Sequence, residues 1–371
     1  MLQKAANELG NTEVSVIEAA AAPSHRVDPG ASRALGRVVM RTACLDDLEA
    51  IHRLALAGGT GLTNLPPDRA ALRRKLIASE AALIDPAARL AGAGILLVAE
   101  AEGTAIVGTS CIFPRIGAEW PFYSYRLTRQ ARSSRAADRR AVQMLLVLAN
   151  DFDGEAEVGG LFIDPSARQH AIGKLAARSR YMFIAQHRDW FGKRVIAELR
   201  GWQDRTGRSP VWEAIGRHFY EMTLAEADRF GALHGNQFIA DLGPRHPLYT
   251  SLLPPDAQAA LGKPHDHGRA AYEMLLREGF RDEGYVDIFD GGPTPIADID
   301  DLAAIRSGCI ATFEPRDAEP NVDALVAVGM GVQFRAARLR LAVDGDLVSA
   351  VPADARALQL EPGETLRWCP I

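Results

Sequence analysis

Between Leu161 and Leu175 the chain reads LFIDPSARQHAIGKL: an apolar run, an Asp-Pro stop, and an approach to a helix that carries an arginine and a glycine. Leu161, Phe162 and Ile163 read as the end of a strand, and the apolar spacing after Gly173 is helical. A helix start presents unpaired backbone N–H groups and about half a positive charge, so this order of elements suits a phosphate-bearing ligand. Ala171 and Gly173 are small enough for a pyrophosphate to come close to the backbone, and Arg168 is placed to add a charge-assisted contact. Short glycine motifs of this kind also occur where nothing binds, so the surrounding elements must decide.

Those elements begin at Arg37. Val38 to Met40 reads as a strand, Asp46 to Leu56 as a helix with Leu48, Ile51 and Ala55 on one face, and Asp68 as the cap of a second helix facing inward through Leu72, Leu76 and Ile77. Strands over 95–100 and 106–112 follow across a turn at Glu102-Gly103. A strand over 144–148 is expected to turn at Asn150 to Gly154 and return as 157–163, delivering the opening segment. After the helix behind Gly173 come a strand over 195–199 and an additional helical section over 202–261. In that section Ser209-Pro210 and Thr223-x-x-Glu226 are helix starts, and Trp212, Phe219 and Tyr220 are core candidates. A helix over 270–277 stops at Gly279, and a strand over 285–289 follows. The pattern is α+β: a mixed sheet flanked by helices over 37–306, with a small C-terminal β-rich module over 307–371. Residues 1–36, rich in Ala, Ser and Pro, read as a disordered tail.

Composition narrows the function classes. The 42 Lys and Arg against 47 Asp and Glu leave a net charge of -5, which offers no basic field for nucleic acid. Cys44, Cys111, Cys309 and Cys369 fit neither a zinc spacing nor a disulfide framework, so no metal is expected and a reduced, cytoplasmic setting fits. No apolar run reaches the roughly 18 residues of a membrane span.

The opening segment resembles the acyl-CoA pyrophosphate loop of the GNAT acyltransferase superfamily, and YEMLLREGF (Tyr272 to Phe280) resembles its late helix. Longer stretches resemble the bacterial arginine N-succinyltransferase family: GLTNLPP from Gly61, PFYSYR from Pro121, AELRG from Ala197, GRSPVWEAIGRHF from Gly207, PRHPLY from Pro244 and EGYVDIFDGGPT from Glu283. The resemblance implies transfer of a succinyl group from succinyl-CoA to the α-amino group of arginine, or of the related ornithine. It leaves room for a paralogous subunit, as an active homo- or hetero-oligomer or as a non-catalytic acyl-CoA binder, and for a different amine acceptor.

It also implies roles. A Gly-x-x-His context, here Gly262 to His265, marks His265 as the proton-transferring residue, with His267 second. Histidine titrates near neutrality and can serve either the amine or the leaving thiolate. Leu161 would supply an oxyanion-stabilising backbone N–H, Phe162 and Ile163 would line the pantetheine path, and Arg168, Ala171, Ile172, Gly173 and Lys174 would hold the pyrophosphate. Glu157, four residues before Leu161, shares a strand face with it by period two and is a candidate amine base or anchor of a water chain. Asp151, Glu198 and Asp287 are available to a guanidinium. Two departures stand out. Ala171-Ile172-Gly173 replaces the family's usual Gly-Asn-Gly, and the 127–140 stretch carries five arginines, read as a solvated face or as part of a rebuilt pocket.

Overall fold

The computed structural model describes residues 37–58, 65–102, 105–234 and 237–371. The tail expected over 1–36, the GLTN of GLTNLPP and the turn at Gly103 lie outside them.

The first strand, β1 (Val38–Thr42), is followed by α1 (Leu48–Gly58), α2 (Arg69–Ile84) and the short α3 (Pro86–Leu90). Asp68 caps α2 by accepting the Ala71 N–H at 2.6 Å. Leu72 and Leu76 point inward, but Ile77 is 43% exposed: it lies on the flank of the helix, beyond the apolar stripe. Strands β2 (Ile95–Ala101) and β3 (Ala105–Phe113) continue the sheet antiparallel.

The chain then leaves that sheet. β4 (Ser124–Ser134) and β5 (Arg139–Ala149) pair with each other over their whole length, and β6 (Ala156–Ile163) returns to the first sheet beside β3. The expected hairpin of 144–148 with 157–163 is therefore corrected. Asn150 to Gly154 carries the chain from one sheet to another, because β5 is already paired with β4 around the turn at 135–138.

Helix α4 (Ile172–Gln186) packs across the sheet, and every residue from Ala176 to Ile184 is buried. A helix covered on all sides needs no single apolar stripe, which is why its sequence marks only one face. Strand β7 (Arg194–Ile196) joins β6 in parallel.

The section over 202–261 supplies α5 (Pro210–Ala214), α6 (Gly216–Tyr220), α7 (Leu224–His234), α8 (Gln237–Leu242), β8 (Leu248–Tyr249) and α9 (Pro255–Ala260). Ser209 Oγ accepts the Trp212 N–H, and Thr223 and Glu226 form a reciprocal capping box. Trp212 and Tyr220 are buried in a separate core with Tyr125, Leu146, Val286 and Ile288, while Phe219 is 37% exposed. Next come α10 (Arg269–Arg277), β9 (Tyr285–Val286), β10 (Ile296–Asp298) and α11 (Ala303–Arg306). Gly279, at φ +106°, ends the α10 region.

The last segment contains β11 (Cys309–Phe313), β12 (Val322–Val328), β13 (Arg335–Asp344), β14 (Leu347–Ala350), α12 (Pro352–Leu358) and β15 (Thr365–Pro370). Its five strands close on themselves: β13 bonds β12 and β14, β12 bonds β15, β15 bonds β11, and β11 bonds β14. Phe313, Val326, Leu339, Leu341, Val348 and Leu366 fill this barrel. The first part of β13 also pairs with β1, so the barrel and the sheet of β1 to β3 share a strand.

Candidate functional site

Where β6 meets β7 the sheet opens. The two strands pair only at Ala156 with Val195 and Glu157 with Ile196. Beyond that point β6 runs on along β3, while the continuation of β7 is held from its other side: Ala197 N–H bonds Pro295 O, Leu199 N–H bonds Pro293 O, and Arg200 O accepts the His265 N–H. Two parallel strands that part this way leave a V-shaped gap lined by backbone. Gly292 explains how the second arm is held: a Cβ there would lie 1.9 Å from Leu199 O, so only glycine permits the approach.

On the β6 arm, Gly160 and Leu161 together oppose the single residue Ser110, a β-bulge with Gly160 at φ +56°. The bulge resets the alternation. Val158 and Ile163 belong to the core beneath α4, whereas Phe162 belongs to the core beneath α1 and α2. Leu161 packs on the α4 side, and Glu157, adjacent to Val158, faces the α1–α2 side near Lys75. The expected common face of Glu157 and Leu161 is thus corrected: one inserted residue moves every later side chain to the opposite face. The Gly159-Gly160 pair inside an apolar strand is the sequence signal for it.

β6 leads into the expected anion site. Asp164 accepts the Ser166 N–H at 2.9 Å, and Arg168 is exposed, its Nε donating to Ile163 O and its guanidinium 5.8 Å from the Phe162 ring. Ala171 holds the turn into α4 at φ +54°, a left-handed conformation that costs a residue with a Cβ about 1–2 kcal/mol. Ile172 is buried, so it anchors the helix start from below. Gly173 is helical, and a Cβ there would meet nothing within 4 Å. Neither backbone nor packing requires that glycine, which leaves open space over the first turn.

Four carboxylates gather around the point of the V. Glu157 is 8% exposed, and burial pushes its carboxyl up to about 7 against the pull of Lys75. Glu198 and Asp287 are held well above the usual carboxylate range by burial and by neighbouring carboxylates, and burial raises Asp290 as well. Glu198 and Asp287 line a cavity of about 310 Å³ whose walls include Trp120, Phe122, Tyr123 and Phe289. Asp151, the third candidate, is committed elsewhere: it accepts the Tyr285 hydroxyl at 2.6 Å and lies 3.6 Å from Arg126. The aromatic wall and Asp290 escaped sequence reasoning, although both lie in or beside quoted motifs: PFYSYR and EGYVDIFDGGPT. A larger cavity of about 390 Å³, bounded by Arg37, Glu100, Glu102, Arg335 and Arg356, lies by β1, β2 and β13, away from the V.

His265 sits beside the β7 arm through its backbone bond to Arg200 and the bridge between Gly201 and Pro264. Its Nδ1 accepts the His267 backbone N–H at 3.2 Å, so the neutral ring carries its proton on Nε2. Burial, Arg200 and His267 lower its pKa. The five arginines of 127–140 line neither cavity; they lie on the β4–β5 hairpin.

A mixed sheet split between two parallel strands, with an anion-ready helix start at the end of one arm and titratable groups on the other, belongs to an acyltransferase that uses an acyl-CoA donor. The sequence comparisons give the family. The model of the AstA family, arginine N-succinyltransferase beta subunit, matches residues 38–304. The arginine N-succinyltransferase of Yersinia pseudotuberculosis is 36% identical over 334 residues, covering 86% of this chain and 94% of that protein. Arginine N-succinyltransferase subunit beta of Pseudomonas aeruginosa is 36% identical over 345 residues, covering 90% and 98%. The solved structure of arginine/ornithine succinyltransferase subunit AI from P. aeruginosa superposes with a TM-score of 0.80 at 30% identity, covering 90% of this chain and 99% of that one. The chain belongs to the arginine N-succinyltransferase family.

Proposed function

We infer that this enzyme transfers the succinyl group of succinyl-CoA to the α-amino group of arginine. The observation that carries the reading is the parting of β6 and β7 directly after Glu157 and Ile196, with the acidic, aromatic-walled cavity on the β7 side. The gap accepts an extended acyl-CoA arm along β6, ending where Arg168, the amides of Ile172 and Gly173 and the exposed Lys174 side chain face its pyrophosphate. The bulge that sets Gly160 and Leu161 against the single residue Ser110 interrupts the strand ladder here, and the Leu161 N–H is the donor assigned to the thioester oxyanion. Phe162 and Ile163, their side chains buried in the cores on either face, would line the pantetheine path with their backbone.

The cavity suits a cationic acceptor. Glu198 and Asp287 repel one another while empty and are relieved by a guanidinium or ammonium, and aromatic faces favour the same charge. The amine nitrogen attacks the thioester carbon, loses one proton, and expels a thiolate that gains one. Glu157, with its carboxyl near neutrality, takes the amine proton. His265 offers its free Nε2–H to the leaving thiolate as a hydrogen bond, Nδ1 being occupied by the His267 N–H, and the proton that the sulfur finally gains is the one Glu157 took from the amine. Arginine and ornithine share the α-amino acid group, and the P. aeruginosa structure names both.

Purified protein with succinyl-CoA and, in turn, arginine, ornithine and unrelated amines tests the reading by thiol release. Turnover with arginine or ornithine that falls about 100-fold or more in His265→Ala supports it. Acyl-CoA binding without turnover on any amine would sink it in favour of a binding subunit.

A further inference from the structure

The β4–β5 hairpin is an arm built for contact. Each strand has eleven residues and spans roughly 36 Å, yet only its root is supported. β9 pairs with Tyr125 and Arg126, and β8 with Leu145 and Leu146, while among the described residues the outer part pairs with no other strand. A lone two-stranded ribbon is marginal in water, so its outer half has little to hold it in the isolated chain.

Its surface is distinctive. On one face Met144 stands opposite Arg129 and Val142 opposite Ala131, with Val142 45% and Met144 36% exposed. Arg132, Arg135, Arg139 and Arg140 gather around the tip, and among the described residues none of these, nor Arg129, forms an ion pair. Residues 124–149 hold six arginines against Asp138 alone, a net of +5, in a chain whose total is -5. The rest of the chain therefore carries -10.

That negative charge has a matching concentration. At one end of the C-terminal barrel, backbone bonds from Thr312 to Asp346 and from Phe313 to Glu364 bring three loops together. They carry Glu314, Asp317, Glu319, Asp346, Glu361 and Glu364, while the loop's Arg316 is paired with Asp344 at 3.0 Å.

We propose that the arm docks on the acidic barrel end of a second copy of this chain. Exchange of arms between two copies gives two identical contacts related by a two-fold axis, the closed arrangement soluble oligomers favour. Arm-to-arm packing is disfavoured by its own charge, since it would set +5 against +5. Val142, Met144 and Ala131 give the contact an apolar centre within a charged rim.

Sedimentation of the purified full chain at about 0.05 M and about 0.5 M salt is the test. The expected result is a mass of two copies at low salt that falls toward one copy at high salt. Arg132→Glu with Arg139→Glu and Arg140→Glu weakens association roughly tenfold or more, and Asp317→Arg with Glu319→Arg and Glu361→Arg does the same. Mixing the two variants restores a two-copy particle through complementary reversed charges. The barrel variant reads the contact independently should the arm variant not fold. A single-copy mass for the native chain at low salt, or native mass in both variants, overturns the proposal.

Discussion

Glu157 stands at the meeting point of β6 and β7 with its carboxyl pushed up to about 7 by burial, so near neutrality both protonation states are populated. An acid whose folded pKa is raised opposes folding once ionised. Its contribution to stability declines as pH rises from the unfolded value of about 4.3 to about 7 and is constant above that. Glu157→Gln removes this opposition while keeping shape. The expected outcome is a higher thermal midpoint at pH 8 together with turnover reduced about 100-fold or more. In the native enzyme the base must be ionised, so kcat/KM falls as pH drops below about 7, and the variant lacks that limb. Differential scanning calorimetry and a pH–rate profile read the two halves separately. Unchanged turnover in Glu157→Gln moves the base to Glu198 or Asp287. Histidine types and carboxylates were visible in the chain, but which of them share a cavity was not. Glu198 and Asp287 are 89 positions apart in the sequence and meet only because the 287–297 loop lies along the β7 arm.

The anion-site helix carries a visible flaw at its start. Ala171 holds φ +54° where glycine would rest without strain, so Ala171→Gly is expected to stabilise the fold by about 1 kcal/mol in a denaturant titration. Acyl-CoA binding is preserved because the amides keep their direction. The other end of α4 is tied to the C-terminal segment through His187. Its Nδ1–H donates to Phe183 O at 2.9 Å and its Nε2 accepts the Gly331 N–H at 2.8 Å, with Phe183 and Trp190 against the ring. Burial lowers this histidine's pKa, so the fold requires the neutral ring. Stability from this contact is complete above the unfolded value of about 6.5 and is lost as pH falls below it. Thermal melts from pH 7.5 to 5 show the loss. His187→Asn is less stable at pH 7.5 and lacks that part of the slope. The caps at Asp68, Ser209 and Thr223 were legible locally because each is a contact over three residues. The bulge at Gly160 was not, because a bulge exists only relative to the strand it pairs with.

α4 also carries the ion pair that joins distant parts of the chain. Arg178 and Glu278, each 8% exposed, lie 2.8 Å apart, and Arg178 donates to Pro370 O at 3.0 Å, so α4, the end of α10 and β15 meet at one guanidinium. Arg178→Met leaves Glu278 buried without its partner and is expected to cost roughly 3–5 kcal/mol in a urea titration; Glu278→Gln alongside it recovers part of the loss. A change under about 1 kcal/mol would show that water reaches the pair. Local pattern was enough to place β1, α1, α2, the β6-to-α4 turn and the β-rich end, because turns, caps and apolar periods act over a few residues. The extended motifs carried the family. Three-dimensional packing alone separated β5 from β6, split β6 from β7, turned Glu157 away from Leu161, and gathered four carboxylates around the point of the V. These features rest on pairings between residues tens of positions apart, and strand partner, register and burial are properties of contacts rather than of any single stretch of chain.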